Sequence, residues 1–289
     1  MRVKCESAYS PQDRCKAIRA GHAICREHGL EEVPRIPAHG RRAILACYGP
    51  SLKHTIDELL AEPGDVFTVS GAHDFLLDRG AKINGHIESD PRPHKASFLQ
   101  RSQPDVDYML ASVCDPLSWN TVLHRRPYVW HVDSSLRENS LIKKLWPGAF
   151  LSAAGTNVGM SSLDLLSQLG YRYFSMHGFD ASFEVPDDLL HASHIEQSQL
   201  SRVGFHAGVH PNEDQLPHRV WVGDHPFFVS PQMMQSAQDF MRFRAARRDL
   251  KFDIHGDGFV RHLVRSVDGG QSLITPGREA SGILQLRTK

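Results

Sequence analysis

The chain has 289 residues, with 33 Lys and Arg against 33 Asp and Glu. That length can bury a sizeable core, and the balanced charge argues against a nucleic-acid-coating surface. The N-terminal MRVKCESAYS lacks an apolar signal region, and no run of about 18 apolar residues occurs, so a soluble, cytoplasmic protein is expected. The five cysteines (Cys5, Cys15, Cys25, Cys47, Cys114) form no CxxC pair and read as free thiols.

Residues 1–40 read as an N-terminal helical extension, with Cys15, Ile18, His22, Ile24 and Cys25 spaced along Tyr9–Leu30 and broken by Pro34 and Pro37. From Arg41 strands and helices alternate. AILAC is a strand, and a helix starts at Ser51. DVFTVSG is a strand and HDFLLDRG a short helix. INGHIESD is a strand, HKASFLQRS helical, VDYMLASV a strand, PLSWNTVL helical and PYVWHV a strand. AFLSAAG then leads into the helix NVGMSSLDLLSQLG, followed by the strand YRYFSMHG. Apolar runs separated by amphipathic helices predict βαβ units: an α/β, Rossmann-like fold with a mostly parallel sheet and helices on both faces. Residues 183–224 are polar, rich in His and Pro, and weakly periodic, which predicts a lid. VWVGDHPFFVS restores order. A helix opens at Pro231, KFDIHG is a last strand and DGFVRHLVRS a last helix. Residues 41–267 thus form the domain, and 268–289 a flexible, Gly- and Ser-rich tail.

Parallel sheets bind ligands at the carboxyl ends of their strands. Gly49-Pro50-Ser51 ends the first strand there. Gly admits a close phosphate and Ser51 can donate to it, beside a helix N-terminus. An ordinary turn with a Ser cap fits equally well. Gly155-Thr156-Asn157 repeats the device. Neither loop is a Walker or GxGxxG motif. Glu88 and Asp90 end the third strand and could hold Mg²⁺, with Arg92, His94 and Lys95 near for phosphate; a solvated Asp-Pro turn is the alternative. Asp180, after Gly178, is either catalytic or a structural acceptor of backbone N–H groups. Asp224-His225 closes the lid, and His225 could be a general base or a plain loop histidine. The lid pairs His191/His194 and His206/His210 have helical metal spacing, but no Cys or third ligand accompanies them. Most of the eighteen histidines read as solvated.

As a set, GPSL, DVFTVSGA, ESDP and GTNVGMSSLDLLSQLGYRYFSMHGFDAS resemble the 6-hydroxymethylpterin diphosphokinase MptE-like family, which includes the Maf proteins linked to flagellin glycosylation. Their order is similar to that in bacterial lipooligosaccharide sialyltransferases. The resemblance spans roughly residues 41–265. It implies that Gly49, Pro50 and Ser51 face nucleotide phosphates, that Ser70 and Gly71 line the pocket, and that Gly155, Thr156 and Asn157 form its second loop. His225 falls where a lid-end base is expected, with His218 as rival. Asp90 stands where the sialyltransferases have Asn and follows the MptE and Maf pattern; Ala154 or Thr156 stands where they have Ser.

Two chemistries follow from the resemblance. One moves a sugar from a CMP- or UDP-linked donor to an acceptor hydroxyl, with His225 as base and no required metal. The other moves diphosphate from ATP with Mg²⁺ on Asp90 and Glu88. The long lid and Asp224-His225 favour the glycosyltransferase; the Mg²⁺-dependent diphosphokinase is the alternative, and a non-catalytic nucleotide-binding protein the third reading. The expected partners are a small-molecule nucleotide donor and a hydroxyl acceptor. A nucleic-acid acceptor is not indicated, and a homo-oligomer is compatible with the sequence.

Overall fold

The computed structural model describes residues 9–153, 155–183, 218–269 and 275–276. In chain order the strands are β1 (Arg42–Ala46), β2 (Asp65–Val69), β3 (Gly85–Glu88), β4 (Asp107–Ala111), β5 (Tyr128–Trp130), β6 (Tyr173–His177), β7 (His218–Val222), β8 (His225–Val229), β9 (Lys251–Ile254) and β10 (Thr275–Pro276). The helices are α1 (Pro11–His28), α2 (Ile56–Ala61), α3 (Ala72–Leu77), α4 (Pro116–Val122), α5 (Leu136–Leu145), α6 (Val158–Gln168), α7 (Pro231–Ala246) and α8 (Phe259–Asp268).

Seven strands form one parallel sheet in the order β5-β4-β3-β2-β1-β6-β9. This is the expected Rossmann-like α/β fold. Ile44, Leu45, Ile87, Leu110 and Met176 are fully buried. Apolar runs, rather than alternation, signal such strands because both faces are covered. The chain winds from β1 outward to β5, then crosses back to place β6 on the other side of β1. The strand order therefore reverses between β1 and β6, where an open α/β sheet leaves a crevice at its carboxyl edge.

Helix α1 starts at a Ser10 cap and ends at Gly29, whose φ of +59° favours glycine. Cys15, Ile18, Gly21 and Cys25 make its buried stripe, and Ile18 and Cys25 belong to the common core. Residues 31–33 run beside β5, where the Val129 N–H donates to the Glu31 carbonyl and the Val33 N–H to the Val129 carbonyl. The N-terminal segment thus shares the domain's core.

Helix α5 has no counterpart in the sequence reading. Its apolar signal is weak: Leu136 is 84% exposed. It is fixed by a Ser135 cap and by the buried Glu138, which accepts from Arg14 of α1 at 2.8 Å. Of the expected lid, 184–217 lie outside the described residues, while β7 and β8 form a hairpin through Gly223, at φ +58°. In the expected tail, β10 pairs antiparallel with β7. Among the described residues no helix is long and apolar enough to cross a membrane, and Cys15, Cys25, Cys47 and Cys114 are buried free thiols.

Among the described residues, four histidines sit inside the fold. His73 meets the Tyr108 hydroxyl at 3.2 Å and His86 the Thr68 hydroxyl at 3.0 Å. His131 packs on Trp146 with no hydrogen bond to either ring nitrogen. His177 lies at the end of β6. Burial drives His131 down to about 4; burial, then the neighbouring His255, does the same for His177.

Two outcomes follow. Ile18→Ala is expected to lower stability by about 2–5 kcal/mol in urea unfolding, since it opens a cavity in the shared core; a mere appendage would leave the midpoint unmoved. Folded His131 and His177 stay neutral down to about pH 4, while unfolded histidine protonates near 6.5. The unfolded chain binds the extra protons in that window, so the stability these residues contribute is full above about pH 6.5 and is lost as pH falls toward 4. Each contributes a slope of up to about 1.4 kcal/mol per pH unit. His131→Phe should flatten the acid side of a stability–pH curve without destabilising the neutral protein.

Candidate functional site

A cleft of about 240 Å³ opens at the switch point. Its walls are Cys47–Pro50 after β1, Val69 and Ser70 after β2, Asn157–Gly159 at the start of α6, Gly178–Phe183 after β6, and Met233 and Ser236 of α7. The volume is below the ~300–1,000 Å³ of common ligand pockets. The loops after β1 and β6 are joined by backbone: the Cys47 N–H donates to the His177 carbonyl at 2.8 Å and the Gly49 N–H to the Gly178 carbonyl at 2.9 Å.

The floor is a clamp between Ser51 and Asp180. The Ser51 N–H donates to Asp180 Oδ2 at 2.7 Å and its hydroxyl to Oδ1 at 2.6 Å, both groups being buried. A Cβ on Gly49 would stand 2.3 Å from the Gly178 carbonyl and 2.5 Å from Asp180 Oδ2. A Cβ on Gly256 or Gly258, after β9, would stand 2.0 Å from Ser51 Oγ or 2.4 Å from Asp180 Oδ1. Glycine is required at all three because loops from β1, β6 and β9 close on one carboxylate. The two Ser51 donors expected to face phosphate therefore face Asp180. Ser51 itself sits in the first turn of a 3₁₀ helix, Pro50–His54, that has no side-chain cap.

The second expected loop divides. The Thr156 hydroxyl donates to Asp239 of α7 at 3.0 Å, and the Gly155 N–H points at Ser161 Oγ at 3.3 Å. Asn157 lines the cleft, but its Oδ1 caps α6 through the Met160 N–H at 3.0 Å and its Nδ2 donates to Ser236 at 2.6 Å. The next two residues, Val158 and Gly159, are also in the wall. They line the cleft in the first turn of α6, where helical N–H groups lack intrahelical acceptors and the dipole is positive. The sequence reading stopped one residue short of them; the glycine in NVG, which lets α6 approach Cys47 Sγ, is the signal for them.

Ser70 lines the cleft, as expected, at a φ of +48°. Ala181 across the cleft has φ +50°. Two of the three described non-glycine residues with positive φ thus flank this cleft, and such strain concentrates at functional sites. Behind Ser70, Lys95 Nζ donates to its hydroxyl at 3.2 Å. Gly71 does not line the cleft; it lets α3 pack on the Tyr48 ring.

Glu88 and Asp90 stand outside the cleft lining. Glu88 is buried and accepts the Ser89 and Asp90 N–H groups at 2.8 and 3.0 Å. Burial raises its carboxyl, against the pull of Lys95. Burial also opposes ionisation of Asp90, but Arg92 hydrogen bonds and the Lys95 charge outweigh it and hold that carboxyl low. Asp90 thus carries two cationic neighbours, Arg92 at 2.9 Å and Lys95 at 3.6 Å. Among the described residues, the groups of three His, Asp or Glu able to meet on one cation are Glu62–His177–His255 and His225–Asp257–His262.

His225 opens β8 beyond the cleft lining. Its Nε2 is 3.6 Å from Asp257 Oδ2, and His262 Nε2 lies 2.6 Å from Oδ1, with the two rings stacked at 4.4 Å. Asp257 sits between the glycines that press on Ser51 and Asp180, so this His-Asp-His group is joined to the floor by its own loop. His262, chiefly through its hydrogen bond, holds Asp257 below the usual carboxylate range. His218 starts β7. His191, His194, His206 and His210 lie outside the described residues.

Ser51→Ala and Asp180→Ala should each destabilise the protein by about 1–3 kcal/mol, and the double variant by clearly less than their sum, in a denaturant double-mutant cycle. Additive effects would mean that the two side chains act separately.

No family model matches the sequence, and no curated protein matches it. Among solved structures, the chain is similar to a MAf glycosyltransferase from Magnetospirillum magneticum AMB-1, at 11% identity and a TM-score of 0.59. The likeness covers 93% of this chain and 43% of that one, so the chain spans under half the length of that protein. At such identity the shared property is the Rossmann-like fold.

Proposed function

We propose that the chain is a nucleotide-dependent transferase that moves a sugar from a nucleotide-sugar donor to an acceptor hydroxyl. The observation that carries this reading is the switch-point cleft with the first turn of α6 in its wall. The Val158 and Gly159 amides would take the donor phosphate, whose charge grows as the sugar–phosphate bond breaks and its electron pair leaves with the phosphate. The acceptor oxygen forms the new bond to the sugar. Its proton passes to His225, whose imidazolium the Asp257 carboxylate stabilises. The fold likeness to a MAf glycosyltransferase agrees with this reading. The pairing of Asp90 with Arg92 and Lys95 favours sugar transfer over the Mg²⁺-dependent diphosphokinase.

A thermal-shift panel of ATP, CMP, UDP and their sugars, each with and without Mg²⁺, tests the reading, since stabilisation follows ligand concentration over Kd. A shift with CMP or UDP that ignores Mg²⁺ is expected. His225→Ala should keep that shift and lose about 10²–10⁴-fold in turnover. A shift confined to ATP with Mg²⁺ would replace the reading with the diphosphokinase. A shift with no turnover of any donor would make the chain a nucleotide-binding protein.

A further inference from the structure

Behind the cleft floor, away from its lining, four side chains converge. Residues 173, 175 and 177 share one face of β6 because strand side chains alternate. His255 follows β9, and its N–H donates to the Met176 carbonyl at 2.9 Å, which sets it beside His177. Glu62, just past α2, reaches in from above. Ser175 Oγ lies 2.5 Å from Glu62 Oε2, 3.0 Å from His255 Nε2 and 3.3 Å from His177 Nε2. Glu62 Oε2 and His177 Nε2 are 3.4 Å apart, and the Glu62, His177 and His255 ligand atoms all lie within 4.8 Å of one another.

The surroundings leave each group with one free role. His255 Nδ1–H donates to Glu58 Oε1 at 2.8 Å, so the lone pair of the neutral ring is on Nε2 and points at the cluster. Arg42 occupies Glu62 Oε1, and Oε2 faces the cluster, where it accepts from the Ser175 hydroxyl. His177 Nδ1 is buried with no partner, so Nε2 is the nitrogen of that ring placed to bond. His177 is fully buried, Glu62 and His255 are 10% and 19% exposed, and Glu58 opens the group to solvent.

We propose that Glu62, His177 and His255 bind one Zn²⁺ ion, with Ser175 Oγ as the neighbouring fourth group, in a site that fastens α2 to β6 and β9. Zinc bonds of about 2.0–2.1 Å to nitrogen and oxygen give tetrahedral edges of ~3.3 Å, close to the 3.4 Å between Glu62 Oε2 and His177 Nε2. Imidazole with carboxylate suits zinc among the divalent ions. Glu58 supplies the outer carboxylate that metal-bound histidine commonly has. The two rings lie parallel at 4.3 Å and 6°; shared coordination would require them to fan apart. His177 leads directly into Gly178 and Asp180, so the ion would stiffen the clamp. The inference does not depend on the proposed transferase activity.

The experiment is Zn²⁺ titration of the EDTA-stripped full chain by calorimetry, with Tm measured in parallel and Co²⁺ absorption as the geometry readout. One equivalent of Zn²⁺, a raised Tm and tetrahedral Co²⁺ bands are expected. His255→Ala, which is partly exposed and tolerable to the fold, should abolish binding, and Glu58→Ala should weaken it about 10–100-fold; circular dichroism checks that both stay folded. His225→Ala should bind as wild type. The proposal fails if the wild type shows no saturable binding. It fails equally if His255→Ala binds unchanged, or if His225→Ala is the variant that loses the ion. None of these readouts requires turnover, so their failure is separable from failure of the transferase reading.

Discussion

The Asp180 carboxylate, holding both the N–H and the hydroxyl of Ser51, is the contact on which the carboxyl edge of the sheet depends. A buried carboxylate is costly unless its lone pairs are filled. Here filling them draws three loops together. Gly49, Gly256 and Gly258 are the places where those loops touch the clamp, and each would drive a Cβ into Ser51, Asp180 or the neighbouring backbone. The parallel sheet sets the loops side by side. The clamp turns their meeting into a floor and leaves the open space toward α6.

That arrangement decides where charge can go. Both Ser51 donors in the Gly49–Ser51 turn are already taken by Asp180. The opposite wall is the positive end of α6, with two first-turn residues, Val158 and Gly159, in the lining. Ser70, backed by Lys95, stands to one side. Ser70 and Ala181 hold left-handed conformations at the rim, a conformation that costs about 1–3 kcal/mol for such residues and persists only under tight packing. Strain, dipole and concavity coincide at the point where the strand order reverses.

The histidines sort by depth. His73, His86, His131 and His177 are buried, and the low pKa of His86, His131 and His177, chiefly from burial, makes them polar core residues rather than acid–base groups at neutral pH. Others gather at the strand ends: His255 beside Glu58 and Ser175, and His225 with His262 around Asp257. Both groups draw on the loop after β9: His255 precedes Gly256, and Asp257 lies between Gly256 and Gly258, the glycines that press on the clamp.

The alternation of strands and helices was legible because double burial writes itself as apolar runs such as AILA and YMLA, and because caps such as Asn157 and Ser230 are local. Helix α5 was not legible: its position rests on a Ser cap and on Glu138 meeting Arg14, 124 residues away, rather than on an apolar stripe. The site was half legible. Of the strand-end residues that local pattern marked, Gly49, Pro50, Asn157 and Asp180 line the cleft, as does Ser70, which the resemblance supplied, whereas Ser51, Glu88, Asp90, Gly155 and Thr156 do not. Local pattern did not reveal that Asp180 takes both Ser51 donors from 129 residues away, or that Asp257 joins His225 to His262. Residue type and spacing report burial and turn chemistry, which are properties of neighbours along the chain. Partnership between loops is set by strand order and register, and only the folded sheet, reversing direction between β1 and β6, decides it.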